Sequence, residues 1–231
     1  RMDETVPLVV PEVNPEDIKK NNGIISNPNC STIQAMVPLK PLHDKYKIKR
    51  IVYSTYQAVS GSGVKGIEDL KNGLAGNDTT NAYHHPIAGN CIPQIDVFTE
   101  NGYTKEEMKM INETHKILND NSIRVTATTV RVPVFDSHSE SVNLEFEKPF
   151  KLDELVGVLK NAKGVVVCDD IKHNIYPLAR DVTGKDEVYV GRIRRDFSVD
   201  NGVNLWIVAD NIRKGAATNT VQIAEELLKL L

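Results

Sequence analysis

The spacing of apolar and polar positions divides this 231-residue chain into short strands and amphipathic helices. Residues 1–22 read as extended, with Pro7, Pro11 and Pro15 as breakers. A helix is predicted to open near Ser31, with Pro38 and Pro41 kinking or shortening it. Residues 48–56 alternate as a strand and run into the small-residue stretch Ala58-Val-Ser-Gly-Ser-Gly63. Residues 72–94, rich in Gly, Asn, Thr and Pro, read as a long loop of the kind that carries function or packs on a partner. A helix is predicted over 104–120: Thr104 and Glu107 have capping-box spacing, and Met108, Ile111, His115 and Leu118 form one stripe. Residues 123–134 are β-rich, with Val125, Ala127, Thr129 and Arg131 on one face. Val142, Leu144 and Phe146 share a face in a further strand. Leu152, Leu155, Val156 and Leu159 mark a helix; 165–168, 188–193 and 203–209 read as strands; 214–231 closes the chain as a helix. This order predicts an α+β fold, a mixed and largely antiparallel sheet covered by helices on one face.

Composition narrows the class. Hydrophobic content of 40% and charged content of 26% are those of an ordinary globular protein with a sizeable core. A net charge of −3 argues against a nucleic-acid partner, which selects a basic face. Three cysteines without paired spacing point to a reducing, cytoplasmic setting rather than a disulfide framework. No CxxC or HxxxH spacing suggests a metal site. There is no apolar run of about 18 residues, so no membrane span is expected. The start has no signal-peptide character. Arg1 and the extended run Val6-Pro-Leu-Val-Val-Pro11 read as a piece taken from the middle of a longer protein.

Asn27-Pro-Asn-Cys30-Ser-Thr32 sets a cysteine at the mouth of the first helix. Unpaired backbone N–H groups and the helix dipole favour a thiolate there, which makes Cys30 a candidate nucleophile. The competing reading is an inert, buried thiol. The polar, turn-forming flank favours chemistry at Cys30, whereas Cys168, inside Val165-Val-Val-Cys168, reads as a core residue; Cys91 is undecided. Groups able to serve Cys30 are Gln57 at a strand end, Arg131 and His138 bracketing one segment, and Glu106 with Lys109 on the side of their helix opposite its apolar stripe.

Four separated segments carry a family resemblance: Ser26-Asn-Pro-Asn-Cys30-Ser-Thr32, Ser54-Thr-Tyr-Gln57-Ala-Val-Ser-Gly61, Arg131-Val-Pro-Val-Phe-Asp-Ser-His138-Ser and Asn204-Leu-Trp-Ile-Val-Ala-Asp-Asn211-Ile-Arg-Lys-Gly-Ala-Ala217. Together they resemble the aspartate-semialdehyde dehydrogenases over essentially the whole chain. The family's N-terminal dinucleotide-binding part is missing, and no Gly-x-Gly-x-x-Gly fingerprint occurs. The resemblance implies a glyceraldehyde-3-phosphate dehydrogenase-like C-terminal domain. Residues 1–212 would form the catalytic and dimerisation domain. Residues 213–231 would form a helix whose stripe (Ala217, Val221, Ala224, Leu228, Leu231) packs on the missing part.

The implied reaction interconverts L-aspartate 4-semialdehyde and L-4-aspartyl phosphate with NADP and phosphate, feeding lysine, threonine and methionine synthesis. Cys30 would carry a thioester, His138 would act as acid/base and Gln57 would orient the substrate. Arg131 would clamp the substrate α-carboxylate, Glu106 its amino group, and Lys109 the phosphate; Glu107 competes with Glu106 but has a capping role. Ser60, Gly61 and Asn211 match positions at the nicotinamide. A homodimer or homotetramer is implied, with 72–94 and the open sheet face as the contact, and the chain alone is expected to bind NADP weakly and turn over little. Other acyl-phosphate chemistry (N-acetyl-glutamyl-phosphate reductase, glyceraldehyde-3-phosphate dehydrogenase), a non-catalytic dimerisation module and a cysteine hydrolase are the alternatives.

Overall fold

The computed structural model describes residues 1–230. Six strands form one sheet: β1 (Ile48–Gln57), β2 (Arg124–Arg131), β3 (His138–Phe146), β4 (Val165–Val167), β5 (Val188–Asp196) and β6 (Gly202–Ala209). Their spatial order is β2-β1-β3-β6-β5-β4. The two outer pairings are parallel and the three inner ones antiparallel, so the expected mixed, largely antiparallel sheet is present. The helices are α1 (Cys30–Tyr46), α2 (Gly63–Leu74), α3 (Lys105–Leu118), α4 (Leu152–Lys160), α5 (Ala179–Val182) and α6 (Thr218–Leu228). α1, α3 and α4 pack together over one sheet face. The other face carries half-exposed and polar side chains such as Asn143 and Asn204, and the tilted ring pair Tyr56–Trp206 at 5.6 Å. No helix among the described residues is long and apolar enough to cross a membrane.

α1 corrects the expectation of a shortened helix: it runs unbroken through Pro38 and Pro41. Each proline in a helix interior costs about 3 kcal/mol. Twelve of the seventeen residues of α1 are buried, however, Ile33, Met36, Leu39 and Leu42 among them. At about 1.5–3 kcal/mol per buried aliphatic side chain, packing outweighs the lost backbone bonds. The helix ends beneath an aromatic cluster in which Phe146 lies 5.5 Å from Tyr46 and 5.4 Å from Phe150.

Three other readings change. The segment 72–94 is preceded by α2, whose glycines at 63, 66 and 73 lower its helix propensity and hid it. The loop beyond is tied down by buried Asp69, which accepts from the Thr79 hydroxyl and the backbone N–H groups of Asn81 and Ala82. Cys168 is half-buried beyond the short edge strand β4 rather than in the core. The closing helix is divided: a π-helical turn, Arg213–Ala217, precedes α6. Likewise the extended start contains a 3-10 turn, Pro15–Lys20.

One buried cation joins the ends of the chain. Lys214 Nζ donates to Glu12 Oε2 (2.5 Å), Gln222 Oε1 (2.7 Å) and Asn219 Oδ1 (3.0 Å), which uses all three ammonium protons. Asn219 in turn donates to the Val9 carbonyl and to Asn27 Oδ1. Ile223 of α6 packs with Val9 and Ile18, so α6 lies on the N-terminal segment.

Truncating the aromatic cluster tests the packing account. Phe146→Ala is expected to lower the unfolding free energy by about 3–5 kcal/mol in denaturant titration. A loss below about 1 kcal/mol would show that the cluster is not close-packed.

Candidate active site

Cys30 is held at the first position of α1 by the residue before it. Asn29 Oδ1 accepts from the backbone N–H groups of Ser31 (3.0 Å) and Thr32 (3.3 Å), capping the helix. The rest of Asn29 is gripped by α3. Its Nδ2 donates to Glu106 Oε1 (2.8 Å) and its backbone N–H to Glu113 Oε2 (2.7 Å). Glu106 and Glu113 lie seven positions apart on one side of α3, and that side is the buried one. This overturns the reading that puts Glu106 opposite the inward face. The buried residues are Glu106, Glu107, Met110, Glu113, Thr114, Ile117 and Leu118, so of the expected stripe Leu118 is buried while Met108, Ile111 and His115 are half-buried. The helix turns its carboxylates inward because they have donors there. The expected capping box is present: Thr104 accepts from the Glu107 N–H and Glu107 Oε2 accepts from the Thr104 N–H.

Two adjacent strand ends supply further groups. Gln57 and Arg131 are register partners on β1 and β2. Gln57 is buried; Nε2 donates to Glu106 Oε1 (3.1 Å) and Oε1 accepts from the Thr55 hydroxyl (2.9 Å). Arg131 Nη1 donates to the Ala58 carbonyl, its Nε has no partner, and the Tyr83 ring lies 6.0 Å from the guanidinium carbon. Lys109 Nζ reaches Glu106 Oε2 (3.3 Å) and Asp96 Oδ2 (3.0 Å), so the helix pair extends into a three-member ionic cluster.

His138 opens β3 and is fully buried. Its Nδ1 accepts from the Ala58 N–H (3.0 Å). That bond assigns the proton of a neutral ring to Nε2, which has no partner among the described residues. Burial, and then the Arg131 charge, hold the imidazole pKa well below its ordinary value, so the ring is neutral. Ser60 and Asn211 bond each other, with Asn211 Nδ2 donating to Ser60 Oγ (3.1 Å), and Asn211 Oδ1 accepts from the Ser137 N–H (2.9 Å). Ser137 has φ of 70° and sets the turn into His138.

Two glycines let backbone approach these groups. A Cβ on Gly61 would lie 3.0 Å from Arg131 Nη1 and 3.2 Å from His138 Cε1. A Cβ on Gly215, in the π-helical turn, would lie 3.0 Å from the Cys30 Cβ. All nine sequence candidates (Cys30, Gln57, Ser60, Gly61, Glu106, Lys109, Arg131, His138 and Asn211) line one cleft of about 500 Å³. Sequence reasoning missed Asn29, Asp96, Glu113, Ser137 and Gly215. Asn29 carried a signal, since Asn is a favoured N-cap; Glu113 and Gly215 are seen only once helices pack.

The thiol departs from expectation. The Cys30 pKa is pushed up to about 12, by burial first and by the Glu106 carboxylate second. Arg131 and the Ser31 N–H oppose this. The helix start therefore acts in the expected direction but loses to desolvation, and the resting group is a thiol rather than a thiolate.

The cleft thus combines a cysteine at a helix start, a neutral histidine and an ionic cluster. Comparisons with known proteins give the class. Residues 39–214 match the family model described as "Semialdehyde dehydrogenase, dimerisation domain". The aspartate-semialdehyde dehydrogenase of Aquifex aeolicus is 59% identical over 99% of this chain and 70% of its own length. That of Bacillus subtilis is 47% identical over 100% and 70%. Crystal structures agree: aspartate semialdehyde dehydrogenase II of Vibrio cholerae complexed with ASA superposes with a TM-score of 0.94 at 51% identity, over 98% of this chain and 69% of that one. The Candida albicans enzyme with NADP superposes with a TM-score of 0.75 at 28% identity, over 98% and 68%. The chain belongs to the aspartate-semialdehyde dehydrogenase family, and it spans about 70% of the length of these relatives.

The raised thiol pKa has a kinetic signature. In a Cys91→Ser, Cys168→Ser background, alkylation of Cys30 by a neutral reagent is expected to keep accelerating with pH beyond about 9, where an unperturbed thiol levels off. A plateau below about pH 8 would contradict the account.

Proposed function

We propose that this chain is the catalytic and dimerisation portion of an NADP- and phosphate-dependent enzyme that interconverts L-aspartate 4-semialdehyde and L-4-aspartyl phosphate through a thioester on Cys30. The observation that carries the reading is the convergence of all nine candidate residues, from separate elements, on one cleft. The Vibrio cholerae relative complexed with ASA and the Candida albicans relative with NADP support the substrate and the cofactor. Such an enzyme serves lysine, threonine and methionine synthesis, and the cytoplasm is its expected setting.

In the reductive direction Cys30 Sγ attacks the acyl carbon of aspartyl phosphate. The carbon–oxygen bond to phosphate breaks, the thiol proton leaves with the phosphate, and a thioester remains. The thioester would become a thiohemiacetal by taking up a hydride, which a bound nicotinamide would supply, and one proton from solvent. Its collapse gives the aldehyde and restores the thiol. His138 Nε2–H donates to the carbonyl oxygen as charge develops there; in aldehyde addition it gives that proton to the oxygen and takes the sulfur's proton in its place. Arg131, with an unpaired Nε, clamps the α-carboxylate. Glu106 receives the substrate ammonium and Gln57 orients the acyl group. Lys109, half-exposed at the rim, attracts phosphate.

The residues present fit the nicotinamide end of the cofactor. Gly61 and Gly215 leave bare backbone beside His138 and Cys30, where a flat ring can approach, and the Ser60–Asn211 pair lines the same wall. No glycine-rich phosphate cradle accompanies them. Residues 1–212 form the working domain in this reading. The helix within 213–231 presents its stripe for packing on the remaining part of the enzyme. Val221 is 57% and Leu228 69% exposed, whereas Ile223, on the other side, is covered; Leu231 lies outside the described residues. The open sheet face with Tyr56 and Trp206, together with 72–94, is the surface assigned to a homodimer or homotetramer, in keeping with the dimerisation-domain match.

Incubation with aspartyl phosphate in the absence of nicotinamide is expected to leave one aspartyl adduct on the Cys30 peptide by mass spectrometry, and none in Cys30→Ser. An adduct elsewhere, or turnover by Cys30→Ser in the enzyme containing all its parts, would refute the thioester role. The 231-residue chain alone is expected to bind NADP weakly in calorimetry while sedimenting as an oligomer. Affinity equal to that of the longer enzyme would overturn the division of labour.

A further inference from the structure

Beneath the cleft lies an acidic group that the proposed reaction does not use. Glu140 is fully buried, and neither carboxyl oxygen has a hydrogen-bond partner. It sits two positions after His138 on β3, so both side chains point toward α1. Its cross-strand neighbours are Thr55 on β1 and Ile207 on β6. Among the described residues no cation pairs with it. Gln34 lies beside it, one turn beyond Cys30 on α1. Gln34 is also fully buried: Nε2 donates to the His138 carbonyl (3.3 Å), and Oε1 has no partner.

Gln34 Oε1 and both Glu140 oxygens are thus unsatisfied acceptors in the same dry interior, which is costly, and a proton on Glu140 would supply the donor that the neighbouring amide oxygen lacks. We propose that Glu140 is a neutral carboxylic acid whose O–H donates to Gln34 Oε1, and that it acts as a positioning residue, fixing the Gln34 amide against the backbone of His138 and so the spacing of the Cys30–His138 pair. The proposal rests on Cys30 and His138 being the reacting pair, but not on the identity of the substrate. Burial pushes the Glu140 carboxyl well above its ordinary pKa and outweighs the opposing effect of the Gln34 amide, consistent with the neutral form. An ionised Glu140 would also oppose Cys30, whose thiol is already held up by Glu106. The titratable and charged groups on the elements around the pair include Cys30 on α1, Tyr53 on β1, Glu106 and Glu113 on α3, Arg131 on β2 and His138 on β3. Only Arg131 is a cation, and it bonds the Ala58 carbonyl. A neutral acid here costs less than a buried carboxylate and leaves Cys30 the one group in this layer that must ionise.

Infrared difference spectroscopy of the enzyme against Glu140→Gln is expected to show the carbonyl stretch of a protonated, buried acid near neutral pH. Its absence would overturn the proposal. Glu140→Gln retains a donor and no charge, so the pH profile of Cys30 alkylation is expected to be unchanged. A shift to lower pH would show that the native group carries charge, and would refute the neutral form. Glu140→Leu removes the donor and is expected to slow Cys30 alkylation by about five- to tenfold, the loss from one net hydrogen bond. Wild-type rates in that variant would refute the positioning role. None of these readouts depends on which aldehyde the enzyme takes.

Discussion

The two-ended use of one asparagine holds this molecule's reactive centre together. Asn29 spends its side-chain oxygen on the orphan amides of α1 and its donors on two carboxylates of α3. Capping alone would start the helix but leave its direction free. The carboxylate grip fixes that direction, so the thiol that follows Asn29 is aimed by tertiary contacts. Glu106 is shared, since it also accepts from Gln57 and Lys109. In the proposed reaction, a substrate ammonium arriving at Glu106 would meet a carboxylate already oriented by three donors. That preorganisation is what binding and catalysis both need.

Desolvation sets the protonation states around this frame. Sulfur and imidazole are both kept neutral at rest, the first because burial and Glu106 disfavour the thiolate, the second because burial and Arg131 disfavour the imidazolium. A thiolate–imidazolium ion pair is thus not stored in the free chain. The backbone amide of Ala58 decides which ring nitrogen carries hydrogen, while the Ala58 carbonyl anchors Arg131. One residue just past the end of β1 therefore orients the imidazole and the guanidinium together, and Gly61 leaves the gap in which both fit.

Much of this was legible in the sequence because it was written in local signals. The Thr104–Glu107 box, the Val142–Leu144–Phe146 alternation and the turn before Cys30 each follow from neighbouring residues alone. The nine candidate residues share one cleft, yet the reasons for their placement were largely hidden. Glu106 looked like a surface partner of Lys109 because a carboxylate on a helix is ordinarily solvated; only the donors of Asn29 and Gln57 explain its burial. Pro38 and Pro41 looked disruptive because their local cost is visible and the compensating core is not. The π-helical turn left no periodic trace, since one extra residue shifts the phase of the pattern it interrupts.

Lys214 gives the two termini a common mechanical joint. Its ammonium clasps Glu12 in the first strap and Asn219 and Gln222 in the last helix, and the next residue is the glycine whose missing side chain would meet the Cys30 Cβ. The first strap, the last helix and the wall beside Cys30 are therefore held by one set of contacts that does not pass through the sheet. The joint is sealed from solvent and every ammonium proton is engaged, so removing any one partner would leave a buried charge undersatisfied.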